Sequence, residues 1–187
     1  MLQAFLRQYA RGEAAAVRPF LVGRRVLDLG AGEGYVAAAL HGRAWTCSVD
    51  VGSFRRAAGP YVAYDGARLP FAEATFDTTL LLLALHHCVA PETVLDEARR
   101  VTRARLVVLE SVWRTRAERL WLDLLDGRLN GLRHGGRMPA ALRFRRPEEW
   151  HALFEARGLR TVATRWLGGR WERLVHHPLL FVLDVPG

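Results

Sequence analysis

Three alternate glycines, Gly30, Gly32 and Gly34, follow directly on the apolar run Val26-Leu27-Asp28-Leu29, and a helix-prone stretch begins after them. Glycine reaches positive φ and carries no Cβ, so such a loop turns tightly and lets its backbone amides approach a ligand. That is the equipment of a nucleotide-cofactor site. The spacing here is G-x-G-x-G, which departs from the G-x-G-x-x-G of dinucleotide sites. Acids recur at the ends of short β-prone runs: Asp28 in the first, Asp50 closing Trp45-Thr46-Cys47-Ser48-Val49, and Asp65 after Tyr61-Val62-Ala63-Tyr64. A carboxylate placed like Asp50 can accept both hydrogen bonds of a vicinal diol, and nicotinamide-binding folds also use an acid there. His86, His87 and Cys88 follow the almost unbroken apolar run of residues 78–85. A run of that kind suits a central parallel strand covered on both faces, and open α/β sheets bind ligands beyond the carboxyl ends of their strands. An imidazole at that edge can orient a substrate, act as a general base near neutral pH, or cap the next helix. Adjacent His-His-Cys side chains diverge and do not match zinc-site spacing, so no metal is expected.

Taken in order, these motifs resemble the class I S-adenosylmethionine-dependent methyltransferases, in particular the small-molecule "type 11"-like group that includes ubiquinone and menaquinone methylases. The resemblance rests on Asp28 with Gly30, Gly32 and Gly34, on Asp50, and on Asp65 followed by Leu69-Pro70-Phe71 and Phe76-Asp77. Ala84-Leu85-His86-His87, Pro91, Glu97 and Arg100-Val101 extend it. It covers residues 24–110 and resumes over 146–159. Where relatives place a Pro-Gly-Gly turn, this chain has Thr102-Arg103-Ala104. The resemblance implies S-adenosylmethionine as cofactor, with Asp28, Gly30, Ala31 and Gly32 around its methionine moiety. It sets Asp50 at the ribose and Asp65 toward the adenine, with Val51, Gly66 and the backbone of Ala84 and Leu85 completing the cofactor shell. His86 and His87 are the substrate-facing candidates. Methyl transfer from a sulfonium is an in-line displacement in which a dedicated base is optional, so no catalytic residue is assigned. Structural roles stand beside these: Asp28 orienting loop amides, Asp65 as a turn carboxylate.

The elements that must position these residues alternate between β and α, which implies a parallel sheet with helices on both faces. The expected fold is α/β, a Rossmann-like doubly wound seven-stranded sheet, mostly parallel with an antiparallel C-terminal strand. Strands are expected at 25–29, 46–50, 61–64, 78–85 and 105–109, with helices at 35–40, 54–58 and 91–101. An amphipathic helix over 2–20, broken near Gly12, carries Leu2, Phe5, Leu6 and Tyr9 on the side that covers the cofactor pocket. A late helix starts at Pro147 and stops at Gly158. The β-prone runs 160–167 and 178–185, separated by Gly168-Gly169, form by resemblance the antiparallel pair that ends the sheet. Residues 1–187 make a single domain, with 112–145 a substrate-shaping insert whose Leu120, Trp121, Leu124 and Leu125 share one helical face. Trp121 and Trp150 suit packing, and His176-His177 suit a turn before Pro178.

Composition removes competitors. All 27 basic residues are arginine, so there is no Walker A lysine, no Schiff-base lysine and no Tyr-x-x-x-Lys pair. A net charge of +8 suits either solvated helix faces, tempered by Glu92, Asp96, Glu97 and Glu118, or an anionic partner. Arg133, Arg137, Arg143, Arg145 and Arg146 are the candidates for RNA contact. Cys47 and Cys88 suit reduced thiols. No apolar run nears the roughly 20 residues of a bilayer span, and residues 1–11 lack a signal-peptide core; the expectation is a cytoplasmic protein. The leading reading is methyl transfer to a small-molecule acceptor. RNA methylation at the same cofactor site, a non-catalytic S-adenosylmethionine-binding protein and, last, a nicotinamide oxidoreductase stand behind it.

Overall fold

Near-continuous apolar runs along the central strands build a sheet with two buried faces. In a computed structural model, which describes residues 2–134, 143–169 and 177–186, seven strands form one sheet in the order β3-β2-β1-β4-β5-β7-β6. The strands are β1 (Arg25–Leu29), β2 (Trp45–Asp50), β3 (Tyr61–Ala63), β4 (Phe76–Leu82), β5 (Thr102–Ser111), β6 (Arg160–Trp166) and β7 (Pro178–Asp184). β7 runs antiparallel to both β5 and β6 while the other pairings are parallel, as the sequence led us to expect. Leu27, Val49, Leu81, Val108 and Phe181 face α3 (Pro91–Val101) and α5 (Pro147–Glu155), which contribute Leu95, Ala98, Trp150 and Phe154. Val26, Leu80, Val107 and Val182 face α1 (Leu2–Val17) and α2 (Tyr35–Ala39), which contribute Leu6, Ala10, Ala14 and Val36. At roughly 1.5–3 kcal/mol for each fully buried aliphatic or aromatic side chain, these two layers dominate the fold's stability. Asp28 and Asp50 share the α1/α2 side of their strands, whereas Glu110, in phase with Leu106 and Val108, lies on the α3/α5 side.

Several local expectations are corrected. Helix α1 passes through Gly12 without a break. A lone glycine costs only about 1 kcal/mol in a helix, and the buried stripe Leu6, Ala10, Ala14 and Val17 outweighs it. That stripe replaces the anticipated face; Phe5 is exposed and stacks on Tyr9. Residues 54–58 are not helical, because the amides of Arg56 and Ala57 donate to the Glu33 carbonyl instead of to their own segment. β4 ends at Leu82, because Leu83 takes a left-handed φ of 54° and a 3-10 turn, Leu85–His87, follows. No turn separates α3 from β5. The Thr102 amide closes the helix onto the Arg99 carbonyl while its hydroxyl reaches Ala98 O and Thr79 Oγ1, both at 2.5 Å, and these bonds take the place of a turn.

Helix α4 (Arg116–His134) occupies the insert, and its orientation also differs from expectation. Leu122 is the buried residue, packed with Trp113 and Phe144 in a small core of their own. Leu120, Trp121 and Leu124 are 69, 45 and 50% exposed. Trp121 is therefore not a packing residue, whereas Trp150 is wholly buried. His177 is a left-handed turn residue before β7, as anticipated; His176 lies outside the described residues. Among the described residues no helix is long and apolar enough to cross a membrane.

The Phe76-Asp77 motif proves to be a latch. Asp77 Oδ2 accepts the amides of Arg24 and Arg25 at 2.9 and 3.0 Å, and Oδ1 meets Arg103 at 3.2 Å. Those bonds hold its carboxyl below the usual range, the Arg25 amide contributing most. Asp77→Ala, which leaves two amides at the entry to β1 without their acceptor, is expected to lower the unfolding free energy by about 1–3 kcal/mol in urea titrations.

Candidate cofactor and acceptor site

The loop after β1 is fastened to β2: the amides of Gly30 and Ala31 both donate to Val49 O, at 2.8 and 3.1 Å. Gly30, Gly32 and Gly34 all take positive φ. At Gly30 a Cβ would stand 2.5 Å from the Ala84 Cβ, so the loop touches the end of β4 and only glycine permits that approach. At Gly32 a Cβ would meet nothing within 4 Å, so the loop opens there onto free space. Asp50 clamps this open point, with Oδ2 accepting the Gly32 amide at 2.7 Å and Oδ1 the Val51 amide at 2.8 Å. The Tyr61 hydroxyl reaches the carbonyls of Gly32 and Gly52, both at 3.0 Å, from the other side. Val51 is 63% exposed beside Asp50, and its Cγ1 lies 3.3 Å from where a Gly66 Cβ would sit.

Asp28 is the electrostatic anomaly of the site. It is 2% exposed, and its Oδ2 is buried without a hydrogen-bond partner. Burial first, and the Asp50 charge second, push its pKa up to about 7 against a smaller lowering by the Ala37 amide. A buried, unfilled acceptor next to a second carboxylate suits a cationic ligand. Asp65 differs: it is exposed, its Oδ1 accepts the amides of Ala67 and Arg68 at 2.8 and 3.0 Å, and those bonds hold its carboxyl below the usual range. Its turn role is thus realised. The following Leu69-Pro70-Phe71 segment is pinned by Glu97 and Arg100. Glu97 takes the Leu69 amide at 2.8 Å, and Arg100 reaches the carbonyls of Phe71 and Leu69.

On the far side of Ala84 the 3-10 turn carries His86, buried at 4% exposure, and the half-buried His87. His86 Nδ1 meets Glu110 Oε2 at 2.5 Å, and Glu110 Oε1 accepts the Leu85 amide at 2.8 Å. Phe144 stacks on the His86 ring with centroids 4.9 Å apart, and the Arg143 amide donates to His86 O. The insert's return path therefore lands on this histidine. Sequence reasoning missed Glu110 and Phe144. Glu110 had a signal, since it closes an apolar strand with a carboxylate as Asp50 does; Phe144 had none.

Cys88 feels the acids of both halves. Burial, then Glu110 and Asp50, push the Cys88 thiol up to about 11; burial, then Cys88, Asp50 and Asp65, push the Tyr64 hydroxyl up to about 12. The structure thus brings Asp28, Gly30, Ala31, Gly32, Asp50, Val51, Ala84, Leu85 and His86 to one edge of the sheet, with Asp65, Gly66 and His87 bordering it. Of the arginine cluster, Arg143, Arg145 and Arg146 are described. Arg145 pairs with Glu92 at 2.9 Å and Arg146 lies over the Trp113 ring, while Arg137 and the Arg133 side chain lie outside the described residues. Among the described residues no group of three or more His, Cys, Asp or Glu is placed to hold a metal ion.

With this geometry in hand, comparisons with known proteins are informative. A family model described as a methyltransferase domain matches residues 27–107. A demethylmenaquinone methyltransferase of Mycolicibacterium paratuberculosis is 40% identical over 96 residues, which is 47% of this chain and 42% of that protein. The chain spans less than half the length of that relative. Among solved structures, the chain bound to the Trm112 methyltransferase activator of Haloferax volcanii superposes with a TM-score of 0.75 at 13% identity, covering 99% of this chain and 92% of that one. The 1,6-didemethyltoxoflavin-N1-methyltransferase of Burkholderia thailandensis, solved with 1,6-didemethyltoxoflavin and S-adenosylhomocysteine, gives 0.68 at 20% identity, covering 95 and 79%. At such identities these structures speak for the fold. The glycine loop and the Asp50 clamp lie within the matched residues, and over 27–107 the chain is similar to a methyltransferase domain.

Proposed function

We propose that this chain binds S-adenosylmethionine in the crevice around residues 30–34 and catalyses transfer of its methyl group to a small-molecule acceptor. The observation that carries the reading is the buried, unfilled Oδ2 of Asp28 beside the opening at Gly32. The cofactor is cationic at both its sulfonium and its amino group, and it supplies the activated methyl. Asp28 takes the charged methionine end, with the amides of Gly30, Ala31 and Gly32 around it. Asp50 accepts the ribose hydroxyls with the acceptor capacity that Gly32 and Val51 leave on its oxygens. Val51, Asp65 and Gly66 frame the adenine, with the backbone of Ala84 and Leu85 closing the opposite wall. His86 and His87 face the acceptor, and residues 112–145 shape its side of a single domain over 1–187.

A small acceptor is favoured because curated relatives are named demethylmenaquinone methyltransferases and a fold neighbour was solved with a small heteroaromatic substrate. RNA finds no comparable support, since Arg145 and Arg146 are engaged within the chain. The free cysteines suit a cytoplasmic setting. The test is a labelled-methyl assay with S-adenosylmethionine and either reduced demethylmenaquinone or bulk tRNA and rRNA at moderate salt. Label is expected in the organic extract; label in RNA alone overturns the small-molecule reading.

A further inference from the structure

Helix α4 is held by one face and shows solvent an apolar one. Leu120, Trp121 and Leu124 are 69, 45 and 50% exposed, and Ala117 is exposed with them. At about 100° per residue these four share an arc of roughly 100° on the helix. Leu122 points the other way, into the small core with Trp113 and Phe144. Single exposed leucines are ordinary, whereas three large apolar side chains on one arc mark a contact surface. Charge says what kind. Residues 112–145 hold eight arginines against three acids, a net five of the chain's eight positive charges. Arg116 and Arg119 are exposed on one flank of the arc with Asp123 between them, and Arg119 also reaches back over the Trp113 ring. Glu118 lies off the arc and accepts the amides of Arg114 and Thr115. An apolar arc with a tryptophan, beside an arginine-bearing flank, is the composition of a helix that lies in the plane of an anionic membrane surface. A second copy of the chain would bring five net positive charges against five. Nucleic acid would engage the arginines and leave the apolar arc in water.

We infer that the outer face of α4 docks on an anionic lipid bilayer, with Leu120, Trp121 and Leu124 entering the interface and arginines of the insert meeting the headgroups. The same insert returns to the edge of the sheet that holds the crevice, where the Arg143 amide donates to His86 O and Phe144 stacks on that ring. Docking by α4 therefore delivers a lipid-dissolved acceptor to that edge. This delivery rests on the proposed transfer to a small-molecule acceptor; the docking itself does not.

Co-sedimentation of the full chain, without cofactor or acceptor, tests the docking on vesicles of phosphatidylcholine alone or mixed with phosphatidylglycerol. Binding is expected to the mixed vesicles, about tenfold or more weaker to phosphatidylcholine alone, and declining as salt rises. Leu120→Ser combined with Leu124→Ser should weaken it about tenfold or more, since the buried apolar area sets the strength of such a helix. Arg116→Gln should weaken it about fivefold. Unchanged melting temperatures show that these variants are folded. Lipids brominated in their acyl chains should quench a part of the tryptophan emission that Trp121→Phe lacks, which places that side chain in the interface. Three results overturn the inference: no sedimentation of the wild type with the mixed vesicles, equal binding to both kinds of vesicle, or full binding by the folded double variant. A stable dimer that the double variant loses overturns it as well, because the face then belongs to a second copy. Methyl label in RNA alone defeats the acceptor reading and leaves the vesicle result standing.

Discussion

Asp28→Asn is expected to stabilise the ligand-free protein at alkaline pH while weakening its hold on the cofactor. In the fold, burial and then the Asp50 charge raise the Asp28 pKa to about 7, against about 3.9 for an aspartate in an unfolded chain. Between these values the folded state holds a proton that the unfolded state has lost, so stability falls as pH rises from about 4 to about 7, and the full penalty persists above. Asparagine carries no such penalty. The variant should therefore gain on the order of 2–4 kcal/mol over the wild type at pH 8 and little at pH 4.5, as read from urea titrations. Equal stability of the two proteins at both pH values would contradict the burial argument. Binding should move the other way. A charged hydrogen bond is worth about 1.5–3 kcal/mol, or roughly ten- to a hundredfold in affinity for S-adenosylhomocysteine. Because ionised Asp28 is the binding form, wild-type affinity should rise about tenfold from pH 6 to pH 8, a trend that Asp28→Asn should lack.

Asp50→Ala should reduce S-adenosylhomocysteine affinity by about 100-fold or more. One carboxylate fixes the loop amide at Gly32 and the Val51 amide and still has lone pairs for a diol. Removing it deletes two ligand hydrogen bonds and lets the loop drift, and charge-assisted bonds at about 1.5–3 kcal/mol each make the loss large. Asp50→Asn should fall between, because a single carbonyl oxygen cannot serve both amides. The two acids are also coupled. Since the Asp50 charge helps to raise the Asp28 pKa, Asp50→Asn should lower that pKa and flatten the rise of affinity between pH 6 and pH 8. An unchanged profile in calorimetric titrations would separate the two groups.

Elements whose cause is local were legible in the sequence. Val26, Leu27 and Leu29, the apolar run ahead of His86 and the glycines of the 30–34 loop each carry their own local demand; β1 and the loop fold as read, and the run forms a central strand that stops at Leu82. Elements set by tertiary partners were not. Whether residues 54–58 coil into a helix is decided by the Glu33 carbonyl, and the burial of Leu122 over Leu120 is decided by Trp113 and Phe144. The site divides the same way. Asp50 announces itself by closing a strand, whereas Phe144 reaches His86 across 58 residues of chain, a separation that no spacing rule encodes. Asp77, read from sequence only as part of a motif, is a structural latch because the strand it starts lies beside the entry to β1.

The central claim is that the crevice framed by Asp28, Gly32 and Asp50 is a site for the methyl donor. Isothermal titration of S-adenosylhomocysteine into the ligand-free protein, beside titrations with NADH and into Asp50→Ala, tests it most directly. The account predicts saturable one-to-one binding that NADH does not reproduce and that Asp50→Ala loses. Absence of binding by the wild type, or undiminished binding by Asp50→Ala, would contradict it.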